Sequence, residues 1–178
     1  MAKVLLFSGH MIDKPNRKDA RFPPKMEDAA ARNIAEALST LKPSLGIASG
    51  SRGGDILFHE ACLACGVPSD LVLPFEPKSF ETQSVAGVES GNWIGRFRAI
   101  VERSRKSGRL FVLELQSTDD PYGACNLAML ARARAIDPSL HLLALWSGLG
   151  DGAEGGTSAM IEAVRAKGGK VHTIGLSC

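Results

Sequence analysis

No apolar run in this chain approaches the ~18 residues that a membrane-spanning helix needs. A secretory leader is not expected either. Val4-Leu5-Leu6-Phe7 is too short for its apolar region, and no small-residue cleavage pattern follows. The expectation is a cytoplasmic protein with no membrane partner. Charge of one sign is also lacking. The 21 Lys and Arg are nearly matched by 19 Asp and Glu, for a formal net charge of +2. That is too little to attract nucleic acid through bulk electrostatics, so a nucleic acid partner is not expected. There is no low-complexity tract, internal repeat or linker, so residues 1–178 read as a single domain able to bury a core.

Cysteine is sparse. Cys62, Cys65, Cys125 and Cys178 are the whole set. Cys62-Leu-Ala-Cys65 has redox spacing, but it falls near the end of a helical stretch, just before Gly66. A helix dipole favours thiolate at the other end. No second pair of cysteines and no paired His follow, so a zinc site lacks ligands. Ordinary packed cysteines are expected, with no metal and no cofactor. The P-loop lysine is absent, and so is a G-x-G-x-x-G after the first apolar run. The chain therefore does not read as an ATPase or a standard dehydrogenase.

What is present is an alternation. Apolar runs at residues 3–7, 45–48, 71–75, 109–115, 140–146 and 170–176 read as strands. Helical spacing occupies residues 26–41, 56–65, 92–104, 122–136 and 158–167; residues 79–88 fit neither pattern. In the first helix Ala30, Ile34, Ala37, Leu38 and Leu41 share a face. In the third, Trp93, Phe97, Ile100 and Val101 do so. Strand and helix in turn, with nearly continuous apolar strands, indicate an α/β fold. The expected form is a Rossmann-like three-layer sandwich with a mostly parallel sheet of about six strands. Such sheets bind ligands outside the carboxyl ends of their strands.

Two glycine-rich loops fall at those ends. The first runs Ser49-Gly50-Ser51-Arg52-Gly53-Gly54-Asp55; the second runs from Gly148 through Gly150-Asp151-Gly152 to Gly155-Gly156-Thr157. Strand, small-residue turn and helix start together aim backbone N–H groups at an anion. Small residues allow close approach, Ser49 and Ser51 offer hydroxyls, and the Arg52 fork suits phosphate. A tight turn with Asp55 as helix N-cap is the competing reading, and capping accounts for Asp55 fully. Thr157 is likewise the expected N-cap of the last helix. Ser8-Gly9-His10 ends the first strand, where His10 either faces the ligand or holds a turn. Residues 13–25 carry Arg17, Lys18 and Arg21 between prolines; they fold over a phosphate or form a solvated loop. The basic run from Arg96 to Arg109 reads as a solvated helix face.

Together these stretches resemble the SLOG superfamily. The matching residues are Leu6 to Ile12, Ser49 to Leu57, Leu73-Pro74-Phe75, Asn92-Trp93 with Arg96-Phe97, and Leu145-Trp146 followed by Gly155-Gly156-Thr157. That group of Rossmann-like domains includes lonely-guy-type phosphoribohydrolases, the single-strand DNA-processing protein DprA, and bacterial signalling sensors. More narrowly, the chain is similar to a stretch of bacterial multidomain proteins with cyclase or repeat modules. The resemblance implies binding of a nucleotide-type small molecule at the two glycine loops. The phosphoribohydrolases use Gly-Gly-x-Gly-Thr-x-x-Glu for phosphate binding and a catalytic carboxylate. Here the residue three beyond Thr157 is Met160, and the nearest carboxylate is Glu162. The resemblance thus favours a sensor without catalysis of its own, with an N-glycosidic hydrolase as the alternative. Single-stranded nucleic acid binding comes third. Self-association is expected at the level of the fold, though no residue specifies it.

Overall fold

The computed structural model describes residues 3–148 and 156–176. Gly150, Asp151, Gly152 and Gly155 of the second glycine loop lie outside the described residues. Six strands form one sheet: β1 (Val4–Gly9), β2 (Leu45–Ala48), β3 (Ser69–Leu73), β4 (Leu110–Val112), β5 (His141–Trp146) and β6 (Lys170–Gly175). Their order across the sheet is β4-β3-β2-β1-β5-β6, and every pairing is parallel. From β1 the chain steps outward through β2, β3 and β4, then returns to place β5 on the other side of β1. The connections leaving β1 and β5 therefore diverge, and their carboxyl ends open a crevice.

Helices α1 (Glu27–Leu41), α2 (Gly54–Ala64), α3 (Pro77–Phe80), α4 (Trp93–Lys106), α5 (Pro121–Ile136) and α6 (Thr157–Ala166) complete the layers. Successive residues of β1 feed two separate cores, as a strand buried on both faces must. Leu5 and Phe7 join Ile34, Leu38, Phe58, Trp93 and Phe97 under α1, α2 and α4. Val4 and Leu6 join Met129, Leu130, Ile161 and Val164 under α5 and α6. Among the described residues, no helix is long and apolar enough to cross a membrane.

Local differences from the expected elements have identifiable causes. Strand β3 starts at Ser69 because Asp70, wholly buried, is answered by Arg109 at 2.8 Å and Arg132 at 2.7 Å. Strand β4 stops at Val112, and Glu114 turns into the left-handed region at φ 55°. Residues 79–88 contain the end of α3 and a π-helical turn, Glu81–Val85. The N-caps also move. Helix α2 begins at Gly54 with Gly53 as its cap, so Asp55 lies inside the helix. Gly53 has φ 100°, and an added Cβ would strike the backbone N of Ile12. Gly54 brings α2 against β1, where a Cβ would stand 3.0 Å from the Gly9 Cα. Helix α6 is capped by Gly156, and Thr157 is its first residue rather than its cap.

Candidate functional site

A cavity of about 390 Å³ opens at the carboxyl ends of β1 and β2 and at the start of α6. Each wall follows from an element already described. The end of β1 brings Ser8, Gly9 and His10. The turn after β2 brings Ser49 and Ser51, with Asp55 from the first turn of α2. Gly156 and Thr157 open α6. These eight expected residues line one space although they come from three distant stretches of chain.

Hydrogen bonds hold the lining in place. The Ser8 hydroxyl donates to Thr157 Oγ1 at 3.3 Å, tying β1 to α6. His10 Nε2 lies 3.0 Å from the Ser147 hydroxyl at the end of β5. The Ser51 N–H donates to Asp55 Oδ2 at 3.1 Å, so this carboxylate closes its own turn. Beneath it, His59 Nε2 lies 2.9 Å from the Ser49 carbonyl, and Nδ1 lies 2.8 Å from the Ser69 hydroxyl. A carbonyl can only accept, so the proton sits on Nε2 and Nδ1 accepts from Ser69. Burial drives the His59 pKa down to about 4, consistent with a neutral ring. Burial acts oppositely on Asp55 and pushes its pKa up to about 7, the Ser51 hydrogen bonds opposing the rise. The cavity thus holds a carboxyl group with a proton affinity near neutrality.

The other expected residues of the two loops stand elsewhere. Arg52 is turned away from the cavity and buried. Its Nε donates to the Ile12 carbonyl and its Nη1 to the Ala86 carbonyl, each at 3.2 Å. Its backbone is sewn in as well, with Ile12 N–H donating to Arg52 O and Arg52 N–H to Ser84 O. The expected phosphate fork is therefore spent on backbone carbonyls that burial would otherwise leave unmatched. Gly50 lies over the Phe97 ring, where a Cβ would come within 2.9 Å. Gly53 and Gly54 shape the turn without lining the cavity. Gly148 has φ 85° and is also outside the lining, while Gly155 lies beyond the described residues.

The structure adds lining that the strand-end argument reached only in part. Arg17 and Arg21 come from the polar segment after β1, and Tyr122 and Asn126 from the first turns of α5. Tyr122 meets the Ser84 hydroxyl at 2.8 Å and packs edge-on against Phe75, with ring centroids 5.9 Å apart. Gln83 comes from the π-helical turn. The one pattern in the sequence that pointed at these arginines was their cationic spacing between prolines.

Other polar groups and thiols stand outside the cavity lining. Glu76 is exposed and accepts from the Ser79 hydroxyl at 3.0 Å. Glu162 is exposed on α6. The basic face of α4 is matched by carboxylates: Arg96 pairs with Glu60 and Glu27, Arg98 with Glu81, and Arg105 and Lys106 with Glu102. Cys62 is buried with its thiol pushed up to about 12, and Cys65 is exposed at the end of α2.

No family model matches the chain, and no curated protein matches it in sequence. Solved structures do match in shape. TM1055, a structural genomics target, has a TM-score of 0.51 at 16% identity, covering 95% of this chain and 72% of its own. The Moco carrier protein of Chlamydomonas reinhardtii scores 0.51 at 15% identity, covering 98% and 77%. DNA processing protein A (DprA) of Streptococcus pneumoniae scores 0.54 at 14% identity, covering 99% of this chain and 51% of its own. The chain shares its Rossmann-like α/β fold with these three structures, the fold that the resemblance implied.

Proposed function

We propose that this protein binds a nucleotide or nucleotide-derived small molecule in the 390 Å³ cavity, and acts as a binding or sensing module without chemistry of its own. The observation that carries this reading is the convergence there of the start of α6, the Ser8, Ser49, Ser51 and Thr157 hydroxyls, and two arginines. Helix ends and guanidinium groups both favour an anion, and the volume lies in the range of small-molecule pockets rather than that of an open strand groove. The pairing of Arg96, Arg98, Arg105 and Lys106 of α4 with carboxylates weighs against nucleic acid at that face. A carrier of Moco and a DNA-processing protein on the same fold are consistent with nucleotide-like chemistry at this edge. A ligand that favours one arrangement of the cavity walls over another would change an adjoining surface, which is how such a module signals.

The test is thermal unfolding with AMP, ADP-ribose, NAD and cyclic dinucleotides. A ligand that binds only the folded chain raises its stability by ~2.7 kcal/mol at a hundredfold excess over Kd. Thr157→Val removes the hydroxyl that meets Ser8 and serves as the site control. A rise in melting temperature for one ligand, reduced in that variant, supports the reading. No rise with any nucleotide at millimolar concentration sinks it.

A second reading rests on Asp55. A carboxyl group with a pKa of about 7 inside the cavity has the proton affinity of a general acid for N-glycosidic cleavage. Against it, the position of the family's catalytic carboxylate holds Met160, which is buried. Incubation with nucleoside monophosphates and NAD, followed by chromatography for free base, separates the two readings.

A further inference from the structure

The segment between β1 and α1 is a closed loop with a built neck. Its ends meet where the Asp13 N–H donates to the Phe22 carbonyl at 2.8 Å. The Asp13 carboxylate fills the neck, with Oδ2 accepting from the N–H groups of Arg21 and Phe22, each at 2.9 Å. Phe22 is wholly buried in the core and anchors one end; Ile12, buried beside it, anchors the other. Compact loops of this kind, closed at the neck, are often functional.

Charge is the second observation. Asp13 is only 6% exposed, and its Oδ1 has no hydrogen-bond partner. Arg17 Nε lies 3.6 Å from it. A buried carboxylate oxygen without a hydrogen bond is costly unless a cation answers it. Asp13 therefore both shapes the loop and draws Arg17 inward, while Arg52 bonds the Ile12 carbonyl at the base. Arg17 and Arg21 both reach the cavity from this loop.

We infer that Arg17 and Arg21, carried on the loop necked by Asp13, clamp a terminal dianionic group of the ligand and select a phosphate monoester over the uncharged nucleoside. The inference rests on the nucleotide reading of the cavity and says which wall recognises the charge. Guanidinium forks match phosphate oxygens in pairs, and a loop already held by its neck loses little freedom when it does so. The sugar and base then face the hydroxyls of β1 and the turn after β2.

Titration calorimetry of the full chain with AMP, adenosine and ribose 5-phosphate tests this at low ionic strength. AMP is expected to bind at least tenfold tighter than adenosine, and ribose 5-phosphate is expected to bind. The Arg17→Ala/Arg21→Ala double variant should bring AMP down to the affinity that the same variant has for adenosine. Lysine at both positions keeps the charge and loses the forks, so its AMP affinity should fall between. Should the alanine variant fail to fold, the lysine variant and the wild-type ratio of AMP to adenosine decide. Undiminished AMP binding by the double alanine variant, or equal affinity of the wild type for AMP and adenosine, overturns the clamp and leaves the nucleotide reading standing. No binding of any of the three by the wild type overturns the clamp, and the nucleotide reading falls with it only when the thermal panel also shows no ligand.

Discussion

Arg52 lies in a glycine-rich turn, the setting in which an arginine is expected to meet phosphate, and it points into the protein. Arg17 and Arg21 lie in a polar segment that reads equally well as solvated loop, and they line the cavity. The difference comes from what surrounds each guanidinium. Arg52 is 6% exposed with the Ile12 and Ala86 carbonyls beside it. Arg17 is 40% exposed and lies on the outside of a neck already closed by Asp13. A cation takes the role set by whatever acceptors burial leaves unsatisfied, and small residues nearby do not change that.

Arg52→Ala offers the largest test of the contrast. Two buried carbonyls lose their donor, and the unfolding free energy should fall by ~3 kcal/mol in urea titration. An unchanged urea midpoint together with lost nucleotide response would make Arg52 a ligand contact after all.

The pH dependence of stability comes next, because the turn that holds Arg52 is bonded by two oppositely shifted groups, Asp55 at Ser51 and His59 at Ser49. Asp55 is raised from 3.8 to about 7, so its contribution is complete below about 4 and is lost as pH rises through about 7. His59 is lowered from 6.5 to about 4, so its contribution is present above 6.5 and is lost as pH falls through about 4. The two slopes oppose each other between about 4 and 6.5. Asp55→Asn should expose a stability that rises with pH in that window, and His59→Gln one that falls, each by on the order of 2–3 kcal/mol. Melting curves across that range check both, and variants with the same slope as the wild type would remove these groups from the account.

Asp13→Ala should cost ~2 kcal/mol, since two N–H groups in the neck lose a charged acceptor. It should also weaken binding of AMP, by loosening the loop that carries both arginines. Arg17→Ala should cost less than Asp13→Ala, ~1 kcal/mol, because it removes the half-exposed cation facing Asp13 Oδ1 and leaves the hydrogen bonds of the neck in place. A large loss there would show that Arg17 serves the neck rather than the ligand.

Much of the frame was legible. Both faces of β1, β2 and β5 are covered, so their runs are almost wholly apolar and stand out. The convergence of Ser8, Ser49, Asp55 and Thr157 followed from strand-end logic alone. Helix α2 starts earlier than its sequence pattern indicates because Gly53 takes the cap through its positive φ, which leaves Asp55 to close the turn at Ser51. Strand β3 was begun late because Asp70 looks solvent-facing until Arg109 and Arg132 are brought to it.

Local sequence accounts for the alternation of strands and helices, the two-faced burial of the sheet and the edge at which polar and small residues collect. These follow from local periodicity and from the handedness of the connections. Folding alone set which arginines line the cavity and which one holds the backbone. The Arg52 acceptors lie 40 and 34 residues away in the chain, and a fork's direction depends on carbonyls that folding alone brings within reach.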